Sequence, residues 1–538
     1  MGERAVSAIA TRAAPRGVVG WIASTDHKRI GLRVATYSFV YFLAGGTLAL
    51  FMRTELARPG LQVMSEDTYN QLFTMHGSSM FYLVMTPLAL ALGVYLIPLQ
   101  VGAAEIAAPR LALLGEWLIL AAGLALYSGF LTQNGAAKFG WTAFYPLSDA
   151  QHAPGYGVDL WIFGVLLAGA GAMLLAGCVL ATALRLRAPG MTLLRMPVFT
   201  WSMVVTCLMV LTAFPALFAV MGMLFVDRHW AGVFEGSGGP IEYQHLFWFF
   251  GHPVVYVTFF PFVGAVAEVI AVFSRKRFFG YEALVFSLLV FAGLSMSVWA
   301  HHMFATGQVV NKYFSLTSTL LVIPAGIEYF DLIGTMWGGK IALRTPMLFA
   351  VGFVLLFLIG GVTGIFLASP PLDYHVTDSM FVVAHFHYTL LAGSLFGFFA
   401  GAYYWWPKVF GHLLGEGLGK LHFALMFVGA NLTFFPMFIM GYEGMPRRVA
   451  DYANTGDLAW LNTLSTIGSY VIALSVLTFV ANVWLSARRR DHAGPDPWEG
   501  HTLEWYTSSP PPRHNFDTLP PIETFAPLLD LRLAEVKE

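Results

Sequence analysis

Twelve apolar runs punctuate the chain, and each is long enough to cross a bilayer. They centre on residues 33–52, 74–100, 111–131, 158–184, 197–225, 245–273, 281–303, 314–337, 347–369, 381–404, 421–440 and 463–487. A hydrocarbon core about 30 Å thick needs about 20 apolar helical residues, and only helices or closed barrels satisfy their backbone groups there. The expected fold is therefore an all-α polytopic membrane protein of about twelve transmembrane helices. With 57% of residues hydrophobic and 11% charged, composition agrees. The net charge of −1 provides no basic field for nucleic acid.

Basic residues set the orientation. Arg4, Arg12, Arg16, Lys28, Arg29 and Arg33 crowd the N-terminal segment, and Arg488–Arg490 open the tail. The loops after even-numbered runs carry Arg110, Arg185, Arg187, Arg195, Arg275, Lys276, Arg277, Lys340, Arg344, Lys408 and Lys420. The loops after odd-numbered runs carry fewer, so both termini are expected in the cytoplasm. No signal peptide is evident in the first thirty residues. Residues 1–490 read as one bundle, and the polar, proline-rich 491–538 as an extended tail on its cytoplasmic face. The aromatic, glycine-rich loop Asn134–Gly157 is too apolar for water and is expected to cap the bundle. Cys178 and Cys207 lie in separate runs and read as small core residues.

Six histidines fall in or at the ends of apolar runs: His76, His252, His301, His302, His385 and His387. Imidazole in hydrocarbon is costly unless it binds something, and it suits both haem iron and copper. His385 and His387 are two apart, about 200° around a helix, so one helix can serve two centres. His76 can face one of them across the bundle. His252 with the adjacent His301 and His302 suits a three-nitrogen copper site, and Tyr256 shares a helical face with His252. Any one of these alone is more often polar glue between helices. Six at matching depth ask for metals.

The motifs Thr25-Asp26-His27-Lys28-Arg29-Ile30-Gly31, Gln71 to Gly77, Trp299-Ala300-His301-His302-Met303-Phe304, Val382 to Tyr388 and Gly444-Met445-Pro446-Arg447-Arg448 carry a resemblance. Over nearly its full length the chain resembles subunit I of the haem–copper oxygen reductases, the cytochrome c oxidase family. The resemblance implies a cell (inner) membrane enzyme that reduces O2 to water. It implies a low-spin haem on His76 and His387, a high-spin haem on His385, and copper B on His252, His301 and His302. The haems would be of the A type, although the residues themselves leave A, O and B open. Tyr256 would be crosslinked to His252 and supply an electron and a proton during O–O cleavage. Arg447 and Arg448 would pair with haem propionates, Trp141 would pack nearby, and Arg53 would meet a haem substituent. Electrons would come from cytochrome c through a subunit II-like partner, because the chain has neither a thiolate copper pair nor a Cys-x-x-Cys-His sequence.

Departures from the family pattern concentrate on proton delivery. Val254 stands where the most familiar branch has a glutamate two residues after the first copper histidine. Phe250 and Gly251 replace the Tyr-Ser pair of another branch. Glu105 retains an acid at the mouth of that pathway, yet Leu111-Ala112-Leu113, Gly171 and Ala172 are apolar where polar residues are expected. In Pro324-Ala325-Gly326-Ile327-Glu328 a glutamate takes the place of the lysine of the second pathway. A non-redox magnesium would keep Asp378, while its histidine partner is Thr377, and His375 could substitute only with a loop shift. The expectation is an oxygen reductase in which Glu328 carries protons to Tyr256 and net pumping is weak or absent. Glu116 is a second candidate carrier, unless it snorkels to the cytoplasmic edge. The alternatives are nitric oxide reduction on the same scaffold and a non-catalytic haem-binding sensor or assembly partner.

Overall fold

The computed structural model describes residues 17–489 and 491–536. Among these, helices dominate and no strand forms beyond two isolated bridges. Arg4, Arg12, Arg16 and Arg490, four of the residues used to orient the chain, lie outside the described residues. Twelve helices are long and apolar enough to cross a membrane. They are α1 His27–Glu55, α2 Glu66–Gln100, α3 Pro109–Leu131, α4 Tyr156–Arg185, α5 Val198–His229 and α6 Gly239–Phe273. The rest are α7 Tyr281–Thr306, α8 Asn311–Met336, α9 Thr345–Ala368, α10 Met380–Phe410, α11 Glu416–Tyr442 and α12 Leu458–Arg489. Each coincides with one expected apolar run, and their even number returns both ends to one side.

The helices begin where side chains satisfy free backbone N–H groups. Asp26 caps α1 by accepting from Lys28 N at 3.0 Å, and Ser65 caps α2 by accepting from Thr68 N at 3.2 Å. Packing between spans relies on small residues, which bring backbones close in the absence of a hydrophobic drive between helices. A Cβ on Gly468 of α12 would sit 2.5 Å from Thr433 N of α11. The same device closes α3 on α4: a Cβ on Gly171 would meet Gly115 O at 2.7 Å, and one on Gly115 would meet Gly171 O at 2.9 Å.

The outer loop caps the bundle through Arg228 at the end of α5. Its guanidinium donates to the carbonyls of Ser148, Asp149 and Ala153 at 2.8–2.9 Å and to Asp159 Oδ1 at 3.0 Å. At the opposite face the tail packs under the helix ends. Lys408 Nζ donates to the carbonyls of Pro495, Thr507 and Ser508, while Lys28 Nζ and the His27 ring both reach Asn515 Oδ1. Glu504 and Trp505 are buried there, and the tail closes with a short helix, Pro527–Glu535.

Glu116 neither snorkels nor stands free. It is fully buried on α3 and takes a two-pronged ion pair from Arg33 of α1, Nε to Oε1 at 2.6 Å and Nη2 to Oε2 at 2.5 Å. Both oxygens are thereby committed, which removes it as a proton carrier. Breaking a buried pair strands the partner charge, so Glu116→Gln is expected to destabilise the bundle by about 3–5 kcal/mol. Unfolding in detergent checks this, with haem spectra unchanged before the transition.

Candidate haem and copper centres

Four helices, α2, α6, α7 and α10, carry the six histidines. On α2, His76 lies one turn before a π-helical stretch, Ser79–Met85; on α10, His385 and His387 lie just before another, Leu390–Leu395. Such stretches insert a residue into the helical register and re-aim the side chains beside them. The His76 and His387 rings lie parallel, with centroids 6.4 Å apart and planes within 8° of each other. Two metal–nitrogen bonds of about 2 Å each fit between rings so placed. His76 Nδ1 donates to Gly45 O at 2.9 Å and His387 Nδ1 to Val383 O at 2.8 Å, which leaves both Nε2 atoms free as ligands.

On the opposite side of α10, His385 Nδ1 donates to Gly360 O of α9 at 3.0 Å. It can approach α9 because Gly364 has no side chain; a Cβ there would stand 3.1 Å from His385 Cε1. Its Nε2 is therefore also left free.

The second centre joins α6 to the end of α7. Regular turns of α7 stop at Ser295, and Trp299–Thr306 winds as a 3-10 segment. There the neighbours His301 and His302 bring their Nε2 atoms to 3.1 Å, and His302 Nε2 lies 3.3 Å from His252 Nδ1. Nitrogens of His252, His301 and His302 all fall within 4.8 Å of one another. Ser318 Oγ donates to Phe314 O, so it accepts from His301 Nδ1, at 2.7 Å, and fixes that ring's tautomer. Trp248 stacks on His302 at 3.9 Å. Three neutral imidazole nitrogens on one point suit a copper ion. His252 Nε2 is buried without a hydrogen-bond partner, and the Tyr256 ring lies alongside at 4.7 Å between centroids.

The remaining expected contacts surround these two centres. Arg53 is buried on α1; its Nη2 donates to Asn462 and Thr466, while Nε and Nη1 are buried without a protein partner. A polar substituent of a large flat group would meet that need. Arg448 lies over the Phe73 ring at 5.9 Å, and burial, with Arg447 next to it, pushes its pKa down to about 9. A carboxylate beside it would restore the cation. Trp141 stacks on Phe81 at 4.0 Å and packs against Gly77, next to His76. Arg447 engages Asp378 through Nη2 to Oδ1 at 2.5 Å and Nε at 3.0 Å. His375 packs against Tyr442, and among the described residues no further cluster of His, Cys, Asp or Glu gathers around Asp378. These residues do not fit a magnesium site within this chain.

Val254 and Phe250 are buried, and the α3–α4 glycine contact occupies the interior beside Ala112. Glu105 is exposed at the surface below it. Glu328 is buried on α8. Two further intramembrane acids escaped the reading of the sequence, Asp331 on α8 and Glu268 on α6, both buried. Asp331 had a signal available: it is three residues from Glu328, hence on the same helical face.

Residues 29–471 match the family described as Cytochrome C and Quinol oxidase polypeptide I. The chain is 49% identical over 96% of its length to "Probable cytochrome c oxidase subunit 1-alpha" of Streptomyces coelicolor, covering 90% of that protein. It is also 49% identical to "Cytochrome c oxidase subunit 1" of Corynebacterium efficiens, over 98% of this chain and 92% of the relative. A solved structure titled as a heme-copper terminal oxidase dimer shares the fold, with a TM-score of 0.71 at 18% identity, over 86% of this chain and 84% of that one. Full-length relatives at this identity and a family match that covers ten spans completely agree with the histidine geometry: the chain belongs to the cytochrome c and quinol oxidase polypeptide I family.

Proposed function

We propose that the chain is the catalytic subunit of a terminal oxidase that reduces O2 to water, in a multi-pass arrangement in the bacterial cell membrane. One observation carries the reading. The parallel His76–His387 pair and the three-nitrogen cluster of His252, His301 and His302 are built in one helical bundle, with His385 two residues before His387 on the opposite side of α10. His76 and His387 would hold a low-spin haem, His385 a high-spin haem, and the cluster copper B. When bound, these groups accept electrons one at a time and pass them to O2. The A type of the haems and a subunit II-like partner are assigned on the family resemblance, and cytochrome c as donor on the relatives' names.

The chain's own residues do the rest. Nδ1 hydrogen bonds to Gly45, Val383 and Gly360 lock three imidazoles in the ligating tautomer. Arg53 and Arg448 offer unpartnered or desolvated guanidinium groups to haem substituents and propionates. Tyr256 stands beside His252 with a proton and an electron to give, which O–O cleavage requires and nitric oxide coupling does not.

Protons must still reach Tyr256 from the cytoplasm. The α3–α4 contact and Val254 close the usual glutamate route, so Glu328 is assigned as the main carrier and net pumping as weak or absent. Glu328→Gln removes the transferable proton with little change in volume, and turnover is expected to fall by about tenfold or more. Full activity in that variant overturns the route, and about one proton ejected per electron from vesicles overturns the pumping assignment. The function itself is tested by metal analysis and gas turnover of the purified complex. Two haems, one copper in this subunit and O2 turnover far above nitric oxide turnover support it; no copper, or faster nitric oxide reduction, sinks it.

A further inference from the structure

The inner half of α8, Val322–Met336, buries a polar file on an otherwise lipid-facing helix. Ile323, Phe330 and Ile333 are exposed, whereas Glu328, Asp331 and Thr335 face inward at successive turns. Intramembrane acids are expensive and turn inward only toward partners or a polar path. Here the partners are missing. Glu328 and Asp331 are each more than nine-tenths buried, and Glu328 Oε1 and Asp331 Oδ2 have no hydrogen-bond partner. Two unsatisfied carboxyl oxygens three residues apart on one face call for water or a shared proton.

The cytoplasmic end of the file is defined by the α6–α7 loop. Asp331 rests on Gly280, where a Cβ would stand 2.0 Å from Oδ1, and that glycine has φ +72°. Phe279 N donates to Thr335 Oγ1 at 3.0 Å, and Lys276 Nζ caps the end of α8 through the carbonyls of Gly334 and Trp337. The loop thus lies against the carboxyl at a residue without a side chain, on the side that faces the α6–α7 turn. Toward the centre of the bundle, Ser287 of α7 donates to Pro324 O at 2.8 Å, one turn above Glu328. The ionisable groups around the file are Tyr329 on α8 itself, Tyr256 of α6, and, at the loop, Lys276 and the exposed Glu282.

We propose that Asp331 takes up protons from cytoplasmic water behind Gly280 and passes them to Glu328. The inference rests on the assignment of Glu328 as carrier to Tyr256. In each transfer Asp331 gains a proton from water, releases it through bound water to the Glu328 carboxylate, and is reprotonated from the cytoplasm. Glu328 in turn delivers its proton toward the Tyr256 oxygen, so no charge accumulates in the file.

The test uses the intact oxidase complex bearing Asp331→Asn, Asp331→Glu, Glu328→Gln or both amides. Asp331→Asn keeps the shape that packs on Gly280, so haem spectra and haem reduction by the electron donor are expected to match wild type. O2 turnover is expected to fall by about tenfold or more, with a larger solvent deuterium isotope effect, and Asp331→Glu is expected to restore most of it. The double amide is expected to be no slower than the slower single variant, because the groups act in series. Asp331→Asn at wild-type rate while Glu328→Gln is slow overturns the relay and leaves Glu328 as carrier. Wild-type turnover in Glu328→Gln overturns both. A slow Asp331→Asn whose isotope effect is unchanged also overturns the relay, since a purely structural defect does not change which step moves a proton.

Discussion

Replacing His76 or His387 by alanine removes the low-spin haem signal and leaves the second haem in place. The two rings are parallel at 6.4 Å and each is anchored through Nδ1 to a backbone carbonyl, which leaves each Nε2 free to ligate one iron. Removal of either leaves an iron with a single protein ligand, which changes its spin state or releases it. His385 is held independently by Gly360 on the other side of α10, so its haem is expected to persist. Turnover with the external donor is expected to fall by about a hundredfold or more, because electrons lose the centre that receives them. Reduced-minus-oxidised spectra of both variants check the assignment. If His76→Ala retained both haem signals, the pairing of His76 with His387 on one iron would be wrong.

Tyr256→Phe is expected to nearly abolish O2 reduction while the complex still assembles with both haems and copper. The phenol ring packs against Phe260 and Phe291 at 5.9 and 4.9 Å between centroids, and phenylalanine keeps those contacts. The variant loses the hydroxyl, and with it the proton and electron nearest the copper histidines. Positioned proton donors contribute about a hundred- to ten-thousandfold to rate, which sets the scale of the loss. Comparable O2 turnover in this variant would remove Tyr256 from the chemistry. Peptide mass analysis adds a second check on the pair, since His252 Nε2 is buried, unpartnered and beside the Tyr256 ring. A wild-type peptide without the His252–Tyr256 crosslink would withdraw that bond, though not the copper site.

The sequence by itself determined the twelve spans, because only long apolar runs survive in hydrocarbon and their hydropathy needs no knowledge of neighbours. It also determined which residues could bind metals, since imidazole inside a membrane is too costly to be incidental in such number. The opposite facing of His385 and His387 followed from helical periodicity alone. Only the tertiary structure decided how adjacent residues such as His301 and His302 converge on His252, because that depends on the 3-10 winding at the end of α7. The π-helical stretches after His76 and His387 are likewise invisible to a hydrophobic pattern that tolerates one inserted residue. Burial of charge was decided at the same level. Glu116 and Glu328 look alike in sequence as acids inside apolar runs, yet one is matched by Arg33 from a helix some eighty residues earlier and the other is not. A pairing across that distance is set by how α1 packs on α3, and no local propensity encodes it. Asp331 gains its meaning in the same way, from a glycine in the α6–α7 loop that the fold lays over its carboxyl.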